Sequence, residues 1–282
     1  MLSIRNRRYL TLVLGVFAAG CAGRAPSPAL DLTEERALAL FSSPGPRSLE
    51  GKGRVGVRTP DGESSFSFHL AYAESAGLRV DLTWKAFVGL VRRDGSVLVR
   101  GDSVWLDLPD DVEWDARVLT EPTRIAVLAG LTPEELVLAL LGAPGDLAGR
   151  RGDLVSFRGA PRGDAYLFTF ERGDRVESLT IRAATGDLRE RELYDRSHDR
   201  RVRILYDRFS AVDGLRRPAV VDVHDSESRS RIRFVFSEQV VGRAQDPARF
   251  APPAGARLLG WVLPGGRSGA RAPGTLAPLG GS

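Results

Sequence analysis

The sequence predicts a mainly β protein, an antiparallel half-open β-barrel of about 11–13 strands with a short N-terminal helix and a two-helix lid or plug. Three observations carry this. Run after run alternates polar and apolar residues with period two, as in Phe66, Phe68, Leu70 and Tyr72 against Ser65, Ser67, His69 and Ala71. Turn signals such as Pro60-Asp61-Gly62 and Gly173-Asp174 separate the runs. One stretch alone, 122–141, breaks the alternation with helical spacing.

The elements follow in order. Thr33 can N-cap a short helix whose first turn holds Glu34 and Glu35, and Pro44-Gly45-Pro46 ends it. Strands are expected at Lys52–Thr59, Glu63–Glu74 and Leu78–Ala86, the last with Val80, Leu82 and Trp84 on one face. Val88–Arg93 is expected to turn at Asp94-Gly95 into Ser96–Arg100, and Ser103–Leu108 follows. The insert reads as helices Pro122–Ala129 and Pro133–Leu141, with Thr132 as N-cap, Pro133 at N1 and Gly142 as the stop. Strands resume at Asp153–Arg158, Ala165–Arg172, Arg175–Arg182, Asp187–Asp195, Arg201–Phe209, Arg217–His224 and Arg229–Val240. Tyr166, Phe168 and Phe170 share a face, as do Val202, Ile204 and Tyr206, and Ile232, Phe234 and Phe236. A barrel of more than ~8 strands is too wide for its own side chains to fill. It holds a cavity or a plug, and the two helical segments are the plugs at hand.

Length and composition agree. The chain has 282 residues, 43% apolar and 27% charged, which suits a large β domain and excludes a low-hydrophobicity disordered chain. A single cysteine excludes a disulfide framework and a cysteine-rich zinc site. The net charge is +4, but Arg5, Arg7 and Arg8 carry three of those charges. Acidic and basic residues otherwise interleave, so no nucleic-acid partner is expected.

Residues 1–20 read as a lipoprotein signal peptide. Arg5, Arg7 and Arg8 precede an apolar run from Tyr9 to Ala19 that is too short to span a ~30 Å hydrocarbon core as a helix. Ala18-Ala19-Gly20-Cys21 resembles the lipobox of bacterial lipoproteins, whose cysteine is lipidated. The resemblance implies a membrane anchor through acyl chains on Cys21, and Ala22 after it implies sorting to the outer membrane, on the periplasmic face. Residues 21–30 read as a lipidated tether, 31–262 as the β domain, and the Gly- and Pro-rich 263–282 as a disordered tail.

Three stretches carry a family resemblance: Gly51-Lys52-Gly53-Arg54-Val55-Gly56-Val57, Lys85-Ala86-Phe87-Val88-Gly89-Leu90, and Leu131-Thr132-Pro133-Glu134-Glu135-Leu136 through Leu140-Leu141-Gly142. With the order of lipobox, helix, strands, helical insert and strands, the chain resembles the LolA/LolB lipoprotein-carrier fold. That resemblance implies a half-open barrel holding acyl chains under a helical lid. Phe87 and Val88 stand where LolB carries a leucine in its protruding loop.

Enzymatic readings find little support. Asp222-Val223-His224-Asp225-Ser226 holds hydrolase residue types, but neighbours on a strand face opposite ways and cannot form a triad alone. Asp107, Asp110, Asp111, Glu113 and Asp115 lack the spaced loop of a calcium site. His69 and His198 have no partner at ligand spacing. Arg201, Arg203, Arg231 and Arg233 lie in strands near Glu190, Glu192, Asp195 and Asp207, which reads as cross-strand ion pairing. No cofactor and no metal are expected.

The reading is therefore a non-enzymatic, outer-membrane-anchored periplasmic lipoprotein. It binds acyl chains of lipoproteins or other amphiphiles and assists their localisation, with a periplasmic carrier protein as a candidate partner. The expected cavity lining is Phe66, Phe68, Leu70, Tyr72, Leu82, Trp84, Phe168, Phe170, Ile204, Phe234 and Phe236. Lys85, Phe87 and Val88 are the expected membrane-contact loop. The alternative is an envelope scaffold or regulatory lipoprotein with the same fold and a filled core.

Overall fold

The computed structural model describes residues 32–43, 45–60, 62–86, 91–101, 103–107, 131–160, 163–197, 199–252 and 257–259, with backbone alone at 84–86, 91–93 and 257–259. Cys21, Phe87, Val88, the expected helix Pro122–Ala129 and the tail 263–282 lie outside the described residues, as do the side chains of Trp84 and Lys85.

Among the described residues, thirteen antiparallel strands form one sheet. They are β1 (Ser48–Thr59), β2 (Gly62–Ala73), β3 (Gly77–Ala86), β4 (Val91–Arg100), β5 (Ser103–Asp107), β6 (Leu154–Gly159), β7 (Ala165–Arg172), β8 (Arg175–Arg182), β9 (Leu188–Asp195), β10 (Arg200–Val212), β11 (Leu215–Asp225), β12 (Ser230–Val241) and β13 (Arg257–Leu259). Among the described residues, two α-helices accompany them, α1 (Glu34–Phe41) and α2 (Pro133–Leu141). The spatial order is β13-β5-β4-β3-β2-β1-β12-β11-β10-β9-β8-β7-β6. β13 and β6 are the edges, so the sheet does not close on itself.

This order has a geometric consequence. The chain leaves β5 near one edge and re-enters at β6 on the other, eleven strand spacings away. At ~4.8 Å per spacing that is about 50 Å along the sheet, which twist and coiling shorten. α2 lies on this connection, and its end meets β9 and β11 through Arg191 and Arg217. After β12 the chain crosses back over the opposite face and adds β13 beside β5.

Burial follows the alternation read from the sequence. In β2, Phe66, Phe68 and Leu70 are buried while Ser65 and Ser67 are exposed. In β12, Ile232, Phe234 and Phe236 are buried in the same way. One expectation fails. Asp94-Gly95 is not a turn: β4 runs through it, with Thr83 opposite Asp94 and Leu82 opposite Gly95. The Thr83 hydroxyl donates to Asp94 Oδ1 at 2.7 Å, and ladder pairing on both sides outweighs the local turn preference. Among the described residues, five strands, not six, precede the insert. β13 was not anticipated, because three residues are too few to show a period.

The helices meet the sheet through their apolar faces. Ala37, Leu38 and Phe41 of α1 are buried, with the Phe41 ring 5.5 Å from Tyr166 and 6.2 Å from Phe168. Thr33 occupies the N-cap position but makes no capping hydrogen bond through its side chain. Thr132 and Glu135 form a reciprocal capping box on α2, and Gly142 ends it at φ 57°. Ser43 and Gly145 exchange two backbone hydrogen bonds of 2.9 Å, tying the exit of α1 to the exit of α2.

Candidate functional site

One face of the sheet is a continuous apolar surface. It joins Phe66, Phe68, Leu70 and Leu82 from one half to Phe168, Phe170, Ile204, Phe234 and Phe236 from the other, together with α1 and α2. Tyr72 packs against this cluster half-buried. Trp84 lies in β3 opposite Arg93, in phase with Leu82. The rings pack on one another. Phe68 stands edge-on to Phe234 and Phe236 at 5.5 and 5.1 Å, and Phe168 lies 5.0 Å from Phe157 and 6.4 Å from Phe170. Gly51 makes room here, because a Cβ at this position would fall 2.8 Å from the Phe236 ring.

The face is not wholly apolar. Glu177, Arg191, Tyr206 and Arg217 point to the same side. Arg191 is 1% and Arg217 2% exposed. Both reach the end of α2. Arg217 Nη2 donates to Leu140 O at 3.1 Å, and Arg191 Nη2 to Ala143 O and Pro144 O at 2.8 and 3.2 Å. Arg191 Nε is 3.0 Å from Glu177 Oε1, near enough for an ion pair but misaligned for a hydrogen bond. Burial pushes the Tyr206 phenol up to about 12 and the Arg217 guanidinium down to about 10. Sequence reasoning missed the arginines. The available signal was phase: Arg217 falls on the same strand face as Val221 and Val223, and Arg191 on that of Leu193.

The opposite face is polar and paired. Arg203 meets Glu190 at 2.5 Å, Arg201 meets Glu192 at 3.0 Å, and Arg231 donates to both oxygens of Asp222. The expected cross-strand pairing is present at Glu190 and Glu192, whereas Arg231 takes Asp222 and Asp195 lies 3.6 Å from Arg175. An open groove of about 950 Å³ runs over this face, lined among others by Lys52, Arg54, His69, Asp81, Thr83 and Asp107. Most of its charges are matched within the chain: Arg79 with Asp81 at 2.7 Å, Lys52 with Glu238 at 3.5 Å, and His69 with Glu50 at 2.8 Å. The returning C-terminal segment lies beside the groove. Phe250 packs with Ala71 and Leu98, and Arg249 reaches His69 at 2.9 Å. Burial alone would raise the Glu50 carboxyl, but His69 and Arg249 outweigh it and hold it below its ordinary value.

Asp222 and His224 do come together, at 3.2 Å, but Asp222 is committed to Arg231 and Asp225 to Arg200. No hydroxyl nucleophile joins Asp222 and His224 among the described residues. No group of three or more His, Cys, Asp or Glu able to hold a metal occurs among them either.

No family model and no curated protein matches the sequence. Among solved structures the chain is similar to a LolA superfamily protein from Nitrosomonas europaea, with 16% identity, 78% of this chain and 98% of that one covered, and a TM-score of 0.48. It is also similar to a putative outer membrane lipoprotein-sorting protein domain from Vibrio parahaemolyticus, with 11% identity, 76% and 93% covered, and a TM-score of 0.49. A DUF1329 family protein from Desulfovibrio piger gives 11% identity, 77% and 94% covered, and a TM-score of 0.49. These are likenesses of fold.

Proposed function

We propose that the protein is an outer-membrane-anchored periplasmic lipoprotein that binds acyl chains of lipoproteins or other amphiphiles and assists their delivery to the membrane. One observation carries the reading. Among the described residues, a sheet whose two edge strands do not pair with each other wraps an aromatic-rich apolar face, and the cover of that face is two short helices. A solid sandwich would cover that face with a second sheet. A helical cover over an unclosed sheet leaves the interior separable from its lid. Acyl transfer into such an interior gains about 0.8 kcal/mol per methylene buried, close to what the bilayer offers. Exchange between membrane and protein then needs only small differences between the two sites, and no nucleotide.

In this reading Cys21 carries the lipid anchor, and the loop 87–90 with Lys85 meets the membrane. Ala86 pairs with Val91, so four residues join β3 to β4. The ring-on-ring packing of Phe68, Phe168 and Phe234 favours a second reading, a scaffold whose interior is filled. One experiment separates them. The full chain carrying Cys21→Ala is purified, its bound lipid is extracted and identified, and its binding of an apolar fluorescent dye is titrated. Saturable dye binding, competed by dodecanol, supports the carrier. Absence of both dye binding and copurified lipid supports the scaffold and refutes the carrier. Membrane fractionation of the same variant tests the anchor, which fails if Cys21→Ala remains lipid-modified.

A further inference from the structure

Among the described residues, the apolar face buries a guanidinium with no carboxylate beside it. Arg217 on β11 is 2% exposed, and no carboxylate pairs with it among the described residues. Its donors go to neutral acceptors, Leu140 O at 3.1 Å and Gln239 Oε1 at 3.3 Å. Arg191 on β9 has one carboxylate beside it, Glu177 at 3.0 Å, and Arg150 takes the same carboxylate at 2.5 Å. Tyr206 belongs to the same cluster, because its ring lies 3.5 Å from where a Cβ on Gly142 would stand, at the end of α2 that Arg217 and Arg191 reach. Its hydroxyl is buried and has no hydrogen-bond partner among the described residues.

A buried guanidinium without a counter-charge is costly, and an orphaned hydroxyl adds to that cost. A trapped water would satisfy Tyr206 but would leave the charge of Arg217 unmatched. An oxyanion answers both. It accepts from the Tyr206 hydroxyl and gives the Arg217 guanidinium the counter-charge that it lacks.

We infer that Arg217, Arg191 and Tyr206 form a subsite for the anionic head, carboxylate or phosphate, of an amphiphile whose acyl chain enters the apolar interior. The inference rests on the acyl-binding reading and narrows it. The favoured cargo is an anionic amphiphile, with its head at the α2 end of β9–β11 and its tail along the aromatic face.

The test uses the full chain carrying Cys21→Ala, loaded with an apolar dye. Dodecanoate, dodecyl phosphate and dodecanol are compared as displacers, since they share a chain and differ in the head. The expected result is displacement by the anionic compounds at about tenfold lower concentration than by dodecanol. Arg217→Gln removes that preference and leaves dodecanol unchanged, whereas Arg217→Lys keeps part of it. Tyr206→Phe retains the ring and its packing, so it carries the test if Arg217→Gln fails to fold. It weakens the anionic displacers several-fold and spares dodecanol. Preference for dodecanoate alone identifies a fatty-acid head, and preference for dodecyl phosphate alone a phospholipid-type head. Equal potency of all three displacers overturns the inference while leaving acyl binding intact. So does a preference that survives both Arg217→Gln and Tyr206→Phe. A protein that binds neither dye nor any dodecyl compound overturns the acyl-binding reading as well.

Discussion

Gly142→Ala tests how tightly the end of α2 is seated on the sheet. Gly142 adopts φ 57°, the left-handed conformation that closes the helix. A non-glycine residue there costs about 1–2 kcal/mol for the backbone alone. The new methyl also needs space that is already occupied. Its Cβ would lie 2.6 Å from Pro218 Cγ, 2.9 Å from Pro218 Cδ and 3.5 Å from Tyr206 Cδ1. The Pro218 ring is stiff and belongs to β11, so the clash is relieved only by lifting the helix end. Overpacking of this kind adds about 1–3 kcal/mol. The total is about 2–5 kcal/mol. Gly101→Ala is the matched control: its φ is 55° and nothing lies within 4 Å of its Cβ, so it carries the backbone cost alone. Guanidinium unfolding of the two variants, read by circular dichroism, gives the steric part as their difference. If Gly142→Ala costs no more than Gly101→Ala within about 0.5 kcal/mol, α2 does not rest on Pro218 and the seat described above is wrong.

Three further outcomes are expected. Phe168→Ala removes a fully buried ring that packs on Phe41, Phe157 and Phe170, and should cost about 3–5 kcal/mol in urea unfolding; a cost below 1 kcal/mol would contradict this packing. Burial alone would raise the Asp187 carboxyl, but Arg216, donating to it at 2.7 and 3.0 Å, outweighs burial and holds it below its ordinary 3.8. Its stabilisation is therefore full above about pH 4 and fades as pH falls through the lowered value, so Asp187→Asn should cost about 1–3 kcal/mol at pH 7 and progressively less below pH 4, whereas a pH-independent difference refutes the assignment. Phe87→Glu and Val88→Glu should leave the melting temperature nearly unchanged and weaken liposome association of the Cys21→Ala protein; destabilisation of several kcal/mol by both would place the loop in the core instead.

What the sequence made legible was whatever has a period. Phe66, Phe68 and Leu70, or Ile232, Phe234 and Phe236, announce a buried face because every second residue repeats the choice. The α2 boundaries were readable for another local reason, since Thr132, Pro133, Glu135 and Gly142 each suit one helix-end position. Asp94-Gly95 misled because a turn signal is also only local, and the pairing of β3 with β4 overrides it. The polar members of the apolar face stayed hidden for the opposite reason. Arg191 and Arg217 look like any of the chain's abundant arginines, and only two of its 40 basic residues, Lys52 and Lys85, are lysines. Composition therefore camouflages them. Their meaning appears once the crossover from β5 to β6 brings the end of α2 onto β9–β11, a placement set by strand order and not by any local pattern. An apolar face that could have held another leucine holds a guanidinium instead, at a position where burial works against its charge. Substituting Arg217 by methionine, which approximates its length without the charge, would be neutral or stabilising if that position served packing alone.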